Sequence, residues 1–170
     1  MERGAGSRIP QCRGLAPVAG RDPRILILGS FPSIKSLRFT EYYGNPRNHF
    51  WGIMEALFGI RADLPYPDRI RGVRNEGIAL WDVVGSCSRP GSADSRIATP
   101  AFNDIAGFAA ANPCLQLIAL NGSTAGKYYR HISAGIGVPS VILPSTSPAN
   151  ARLTLAEKVE CWSVLRKGRA

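Results

Sequence analysis

The sequence contains no long uninterrupted hydrophobic run, and this absence excludes a membrane-spanning helix. Its first arginines are not followed by an apolar stretch and a cleavage site, so we expect no secretory leader. The four cysteines, Cys12, Cys87, Cys114 and Cys161, lack the close spacing of a metal-binding knuckle. Only two histidines accompany them, which leaves no ligand set for zinc. We therefore expect a cytoplasmic protein with free thiols, no metal, no organic cofactor and no membrane partner.

Acidic residues are also scarce, because 12 Asp+Glu stand against 21 Lys+Arg, for a formal net charge of +9. This excess predicts a polyanionic partner, with nucleic acid first, although a generally basic surface would give the same count. The length of 170 residues and the hydrophobic content of 45% suit one globular domain. We expect a disordered basic tail over residues 1–14, a single domain over residues 15–170, and a monomer by default.

The residues that organise the chain are the four branched apolar residues 25–28, which predict a fully buried strand. Gly29 and Pro32 end that strand, since glycine permits a sharp turn and proline forbids a continuing strand. Further strands are predicted over residues 77–84, 115–120 and 138–143. Helices are predicted over residues 48–58, where Gly59 should end the helix, and over 103–110, where Asn103 should cap it. Further helices are predicted over residues 64–75 and 155–167, and from about residue 123 to residue 131. Residues 86–100 should form a long polar loop.

Strands that alternate with helices in this way predict an α/β protein, a three-layer αβα sandwich around a central four-stranded parallel sheet. Two loops leave the carboxyl ends of its strands, where ligands bind in such sheets. The first is Gly-Ser-Phe-Pro-Ser at residues 29–33, and the second is Ser-Thr-Ser-Pro-Ala at residues 145–149. Residues 36–51 add a density of aromatic, amide and basic side chains that a plain connection would not need.

Four motifs in the chain resemble the uracil-DNA glycosylase superfamily. They are Leu-Gly-Ser-Phe-Pro-Ser at 28–33, Pro-Arg-Asn-His-Phe-Trp at 46–51, Leu-Trp-Asp-Val at 80–83 and Pro-Ser-Thr-Ser-Pro-Ala-Asn-Ala at 144–151. The nearest resemblance is to the branch described as hypoxanthine-DNA glycosylases, and it runs from about residue 15 to residue 165. It implies a monofunctional enzyme that flips a deaminated base out of DNA, hypoxanthine first, and hydrolyses its N-glycosidic bond.

Two positions depart from the pattern of the superfamily. Most members place an Asp or Asn two residues after the first-loop glycine, where it handles the attacking water, and Phe31 stands there in this chain. Many members begin the second loop with a histidine that stabilises the leaving base, and Ser145 takes that catalytic position here. The branch is described as using a downstream asparagine instead, and Asn48 matches it. An amide cannot take a proton near neutral pH but can orient a water, and helix capping is the open alternative for Asn48.

The resemblance also implies the residues that contact the flipped base. Tyr43 corresponds to the stacking aromatic, and Asp82 would accept a hydrogen bond from hypoxanthine N1–H, where adenine has a lone pair. A core or rim position for Tyr43 and a capping or salt-bridged role for Asp82 stay open, and His49 is a minor catalytic candidate. The full set of expected base contacts is Gly29, Ser30, Phe31, Pro32, Ser33, Tyr43, Asp82 and Ser147.

DNA contacts are expected from basic side chains and from the second loop. Other members insert a bulky residue into the duplex from this loop, where the chain has Ala149, so Arg152 or Leu153 is the candidate wedge. The expected DNA contacts are Lys35, Arg47, Asn121, Lys127, Pro148, Ala149, Asn150 and Arg152. Two rival functions remain open, a uracil- or mismatch-directed glycosylase and a non-catalytic binder of damaged or single-stranded DNA.

The charge balance predicts that binding to undamaged duplex DNA depends strongly on salt. If about five basic groups meet phosphates, the logarithm of the association constant should fall with the logarithm of salt concentration at a slope of about −4 to −5. Fluorescence anisotropy over a salt series measures this slope. A slope near zero would show that contacts with DNA phosphates do not drive the binding.

Overall fold

The computed structural model of the chain describes residues 11–167. Its strands are β1 (Gln11–Arg13), β2 (Ile25–Gly29), β3 (Ile78–Asp82), β4 (Val84–Ser88), β5 (Ala98–Phe102), β6 (Leu117–Asn121) and β7 (Ser140–Leu143). The main sheet has the order β3-β2-β6-β7, and all its neighbouring strands are parallel. The predicted central four-stranded parallel sheet is confirmed.

The helices include one over residues 34–39 that was not predicted, and the others follow the predicted order with small changes at their ends. They are α1 (Ile34–Phe39), α2 (Phe50–Phe58), α3 (Tyr66–Asn75), α4 (Ile105–Ala111), α5 (Ser123–Arg130), α6 (Leu155–Trp162) and α7 (Val164–Lys167). Helix α2 ends as predicted at Gly59, whose φ of 70° lies in the left-handed region that glycine tolerates. The last predicted helix is divided at Ser163 into α6 and α7. In the described part of the chain, no helix has the length and apolar character needed to cross a bilayer.

Both faces of the main sheet are covered, which explains why β2 is apolar at every position. Ile25 and Ile27 face a core formed with α2, α3 and α6, which includes Phe50 and Trp162. Leu26 and Leu28 face the opposite core, which is completed by residues of α4 and α5. Side chains alternate between the two faces of a strand, so a strand with both faces covered shows a continuous apolar run.

The register of the parallel strands brings their carboxyl ends to one edge. Gly29 pairs with Asp82, Leu28 pairs with Leu120, and Asn121 pairs with Leu143. The loops that follow β2, β3, β6 and β7 therefore start close together. This edge is the place where the fold positions polar side chains for a ligand.

The prediction of a long polar loop over residues 86–100 was wrong. Strands β1, β4 and β5 form a second sheet, antiparallel, in the order β1-β4-β5. Its strands are rich in serine, alanine and glycine, and the β4–β5 pairing is irregular, with register shifts on either side of Ser86. Such strands lack the alternating apolar pattern, because backbone pairing rather than side-chain burial defines them.

Two smaller predictions also need correction. The disordered tail was expected to reach residue 14, but Gln11–Arg13 is a strand that pairs with residues 86–88, and the rest of that prediction lies outside the described residues. Asn103 was expected to cap α4, but the cap is Asp104, whose side chain accepts a hydrogen bond from the amide of Gly107. Asn103 instead donates its side-chain amide to the carbonyl of Asp82.

Candidate active site

A cavity of about 1190 Å³ opens at the carboxyl edge of the main sheet. It brings together most of the residues that the sequence nominated, although they are far apart in the chain. The nominated residues that line it are Gly29, Ser30, Phe31, Pro32, Ser33, Lys35, Tyr43, Asn48, Asp82, Asn121, Ser145, Ser147, Pro148, Ala149 and Asn150. Arg47, Lys127 and Arg152 do not line it and are exposed on the surface, where contacts with DNA phosphates remain a prediction.

The first loop, residues 29–33, is fixed by packing and by hydrogen bonds. The Phe31 ring is 6% exposed and packs with Val84 and Cys87. The Arg89 guanidinium lies 4.9 Å from the centre of that ring and donates a hydrogen bond to the carbonyl of Pro32. Ser33 accepts a hydrogen bond from the amide of Ser36 and so caps α1. Phe31 therefore anchors the loop and supplies no polar group for a reaction.

Asp82 stands at the floor of the cavity with an incomplete set of partners. The residue is 5% exposed, and its Oδ2 atom is buried with no hydrogen-bond partner among residues 11–167. Its Oδ1 atom lies so close to Gly29 that a Cβ at that position would be 2.5 Å away. Burial and the nearby negative charge of Asp94 raise the pKa of Asp82 to about 7, against the opposing effect of Arg89. A buried polar atom without a partner, in a cavity, indicates a site for a ligand.

Tyr43 forms a rigid wall of the cavity. Its ring stacks on Phe50 with 3.8 Å between ring centres and 18° between planes, and its backbone φ of 54° is unusual for a residue other than glycine. The hydroxyl accepts a hydrogen bond from the Asn121 side chain at 3.3 Å. Burial, and next the charge of Asp82, raise the pKa of the Tyr43 phenol, which keeps it protonated. The aromatic surface is thus held in place before any base enters.

Asn48 lies beside this wall at the start of α2. Its Oδ1 atom accepts a hydrogen bond from the Phe50 amide at 2.9 Å, so the side chain does help to cap the helix, although His49 holds the cap position itself. Among the described residues its amino group has no partner, and the residue lines the cavity. Capping by the oxygen leaves the amino group of Asn48 available to a water or a sugar.

His49 has a buried Nδ1 atom without a partner in the described part, and burial lowers the pKa of its ring.

The second loop, residues 145–149, is held by a neutral hydrogen-bond network centred on Asn121. The Asn121 side chain accepts a hydrogen bond from the Thr146 amide and donates one to the Thr146 hydroxyl, both at 3.0 Å. Ser145 Oγ accepts a hydrogen bond from the Ser147 amide, which leaves its own proton free to donate. The Asn121 side chain already forms three hydrogen bonds, to Tyr43 and to two atoms of Thr146, and so it positions the loop.

A buried lysine supports the same loop from beneath. Lys158 of α6 is fully buried, and its ammonium group donates to the carbonyl of Asn150 at 3.0 Å. Burial lowers the pKa of Lys158. The Trp162 indole donates to the carbonyl of Pro144 at 2.9 Å. Helix α6 therefore fixes both ends of the second loop, which no local sequence pattern indicated.

Sequence reasoning missed the segment that closes the cavity on the side of the first loop. The hairpin segment, residues 89–97 between β4 and β5, crosses to that loop, where Ser30 Oγ donates to Asp94 Oδ1 at 2.8 Å. Ser92 accepts a hydrogen bond from the amide of Ile34 at 2.9 Å. Asp94 and Ser92 both line the cavity. Only its charged residues, Arg89, Asp94 and Arg96, could have drawn attention to this otherwise polar segment.

Metal binding has little support in this arrangement. Within residues 11–167, no group of three or more histidine, cysteine, aspartate or glutamate side chains could hold a metal ion. None of the four cysteines forms a disulfide in the described part of the chain, and Cys87 alone of them is buried. The site therefore offers carboxylates, amides, hydroxyls and an aromatic wall as its chemical groups.

The fold and this cavity define an α/β protein with a ligand site at the carboxyl edge of a parallel sheet. The model of the uracil DNA glycosylase superfamily matches residues 17–166, and the chain belongs to this superfamily. It is similar to a hypoxanthine DNA glycosylase of Methanosarcina acetivorans, with 39% identity over 91% of this chain and 98% of that protein. A hypoxanthine DNA glycosylase of Methanosarcina barkeri is 33% identical over 89% of this chain and 95% of that protein.

A solved structure gives the same result for the fold. The solution NMR structure of a candidate uracil DNA glycosylase from Methanosarcina acetivorans superposes with a TM-score of 0.78. That protein is 36% identical, and the match covers 92% of this chain and 99% of the other. The resemblance inferred from four short motifs is confirmed.

The raised pKa of Asp82 predicts a pH dependence of stability that Asp82→Asn should remove. The folded protein keeps the Asp82 proton up to about pH 7, whereas the unfolded chain releases it near the ordinary pKa of about 3.9. The free energy of unfolding should therefore fall as pH rises through this window. The Asn variant lacks this fall, so its stability relative to the native protein should rise by up to about 1.4 kcal/mol for each unit of pKa shift.

Urea unfolding at several pH values between about 4 and 8 tests this linkage. Asp22→Asn is the matched control, since Asp22 is exposed and its φ of 52° suits asparagine. That variant should follow the native pH profile. A stability difference between Asp82→Asn and the native protein that stays constant over the whole range would show that Asp82 titrates normally.

Proposed function

We propose that this chain is a monofunctional DNA glycosylase that removes deaminated bases, hypoxanthine first, by hydrolysis of the N-glycosidic bond. The observation that carries the proposal is the buried, unpartnered Oδ2 atom of Asp82 at the floor of a cavity large enough for a nucleotide. The two Methanosarcina proteins named as hypoxanthine DNA glycosylases support the choice of base.

Recognition begins with a base that has left the duplex, since the target bond cannot be reached inside the stack. Tyr43, fixed by its stacking on Phe50, offers a surface for the flipped base. The Asp82 carboxyl, which is ionised above about pH 7, then accepts a hydrogen bond from N1–H of hypoxanthine and meets only a lone pair on adenine. The same carboxylate would accept N3–H of uracil, so a uracil-directed activity is the second candidate.

Cleavage then needs charge stabilisation on both sides of the breaking bond. Negative charge grows on the leaving base, where the Ser145 hydroxyl and the backbone amides of Ser30, Phe31 and Ser33 can donate hydrogen bonds. Positive charge grows on the sugar, which a water held by the Asn48 amide attacks. Asn48 keeps its amino group available because only its oxygen caps the helix. The donors for the leaving base and the Asn48 amide are in place before the substrate binds. Such preorganisation lowers the activation barrier of the hydrolysis most.

Binding to DNA depends on the basic surface around this opening. Lys35 lies at the mouth of the cavity, and Arg47, Lys127 and Arg152 are exposed. Pro148, Ala149 and Asn150 bring the second loop to the same rim. We infer that these residues contact the phosphate backbone, that Arg152 or Leu153 fills the space left by the flipped base, and that the protein acts as a cytoplasmic monomer on chromosomal DNA without a cofactor.

Asn48 provides the sharpest test of this mechanism. Asn48→Ala should lower single-turnover excision of hypoxanthine by about 10²-fold or more, because a preorganised polar group is lost from the transition state. Affinity for DNA should change far less, since phosphate contacts dominate it. If Asn48 only caps α2, the substitution should instead cost about 1 kcal/mol of stability and leave the rate nearly intact.

Two further variants separate these roles. Asn48→Ser keeps a side-chain oxygen for the Phe50 amide but removes the amide group, so it should remain folded and slow. Asn45→Ala is the matched control, because Asn45 also lines the cavity three residues earlier, and among the described residues its side chain accepts a hydrogen bond only from the Arg47 amide. A Ser variant that excises hypoxanthine at the native rate would rule out a catalytic role for Asn48.

A further inference from the structure

One acidic side chain of the cavity has no role in the proposed reaction so far. Asp94 lies on the hairpin segment, and the only hydrogen bond of its side chain within residues 11–167 is the one that Oδ1 accepts from Ser30 at 2.8 Å. In this part of the chain no lysine or arginine forms an ion pair with it. Burial raises the pKa of the Asp94 carboxyl, against the opposing effects of the Ser30 hydrogen bond and of the Arg89 charge. Asp94 therefore brings a carboxyl group outside any ion pair, with a free oxygen, to the wall of the cavity.

The position of Asp94 is fixed by the contacts of its neighbours. The Arg89 guanidinium covers the Phe31 ring and donates to the carbonyl of Pro32. Ser92 accepts a hydrogen bond from the Ile34 amide. With the bond from Ser30, contacts at both ends of the first loop hold the hairpin segment against it. A charge held in this way needs no reorganisation when a substrate enters, which is the condition for electrostatic catalysis.

The hydrolysis also needs a group that can take a proton. Water that attacks the sugar must lose one, and the amide of Asn48 cannot accept it near neutral pH. Among the described residues that line the cavity, the only carboxylates are Asp82 and Asp94, and there is no histidine. Asp82 lies at the floor, where the proposed function uses it to read the base. Asp94 is the remaining candidate, at the wall beside Ser30.

We propose that Asp94 is a catalytic residue of the hydrolysis and that its carboxylate faces the sugar and the attacking water; this inference rests on the proposed function. The bond between C1′ and N9 breaks, and its electron pair leaves with hypoxanthine. The water oxygen bonds to C1′, one water proton passes to the Asp94 carboxylate, and that proton is then released to the leaving purine. Before the transfer, the negative charge of Asp94 stabilises the positive charge that develops on the sugar.

Asp94→Asn tests this role with little change of shape, because the Asn oxygen can still accept the hydrogen bond from Ser30. Single-turnover excision of hypoxanthine should fall by about 10²-fold or more. Affinity for a duplex that carries uncleavable 2′-fluoro-2′-deoxyinosine should change far less, since phosphate contacts dominate binding. Asp94→Ala should be equally slow, and added formate, which can occupy the vacated space, should restore part of its rate. A side chain that only holds the hairpin segment would not respond to formate.

Asp104→Asn is the control, because it removes the same charge outside the cavity and asparagine caps a helix as well as aspartate does. Thermal midpoints establish that each variant is folded. A folded Asp94→Asn that excises at the native rate would overturn the inference, as would a folded Asp94→Ala that formate does not accelerate. Failure of the native protein to excise any base would instead overturn the proposed function.

Discussion

The candidate site depends on one close approach, between the backbone of Gly29 and the carboxylate of Asp82. The parallel register places these residues side by side at the ends of β2 and β3, and a Cβ at position 29 would lie 2.5 Å from Asp82 Oδ1. Glycine therefore lets a carboxylate lie at the floor of the cavity with one oxygen unpartnered. Because such an oxygen is costly to bury, the position suits a ligand that donates a hydrogen bond.

Two sets of contacts turn that floor into a cavity. The Asn121 side chain, the buried Lys158 and the Trp162 indole hold the second loop through hydrogen bonds to its backbone and to Thr146. The antiparallel sheet presents the hairpin segment, which Arg89 fastens to the first loop. The polar groups are thus rigid before the substrate arrives, and rigidity of this kind is what lets fixed dipoles and charges lower a barrier.

The sequence was most informative where one physical cause dominates a short segment. Burial on both faces makes β2 a continuous apolar run, and the left-handed conformation at residue 59 favours glycine, so both were predicted correctly. The second sheet was missed because its strands bury few side chains, because the β4–β5 pairing is irregular, and because the partner of β1 is more than seventy residues away. For the same reason the hydrogen bond from Ser30 to Asp94, across 64 positions, left no local pattern. The nominated cavity residues came from motifs at strand ends, whereas the residues that support them did not.

The central claim is that this cavity removes a deaminated base, and a panel of duplexes tests it most directly. Each duplex carries one hypoxanthine, uracil, xanthine or adenine at the same position, and strand cleavage after alkali measures the abasic sites formed under single-turnover conditions. We expect fastest removal of hypoxanthine, no removal of adenine, and an intact strand until alkali is added. Tight binding to all four duplexes with no abasic site in any of them would contradict the account.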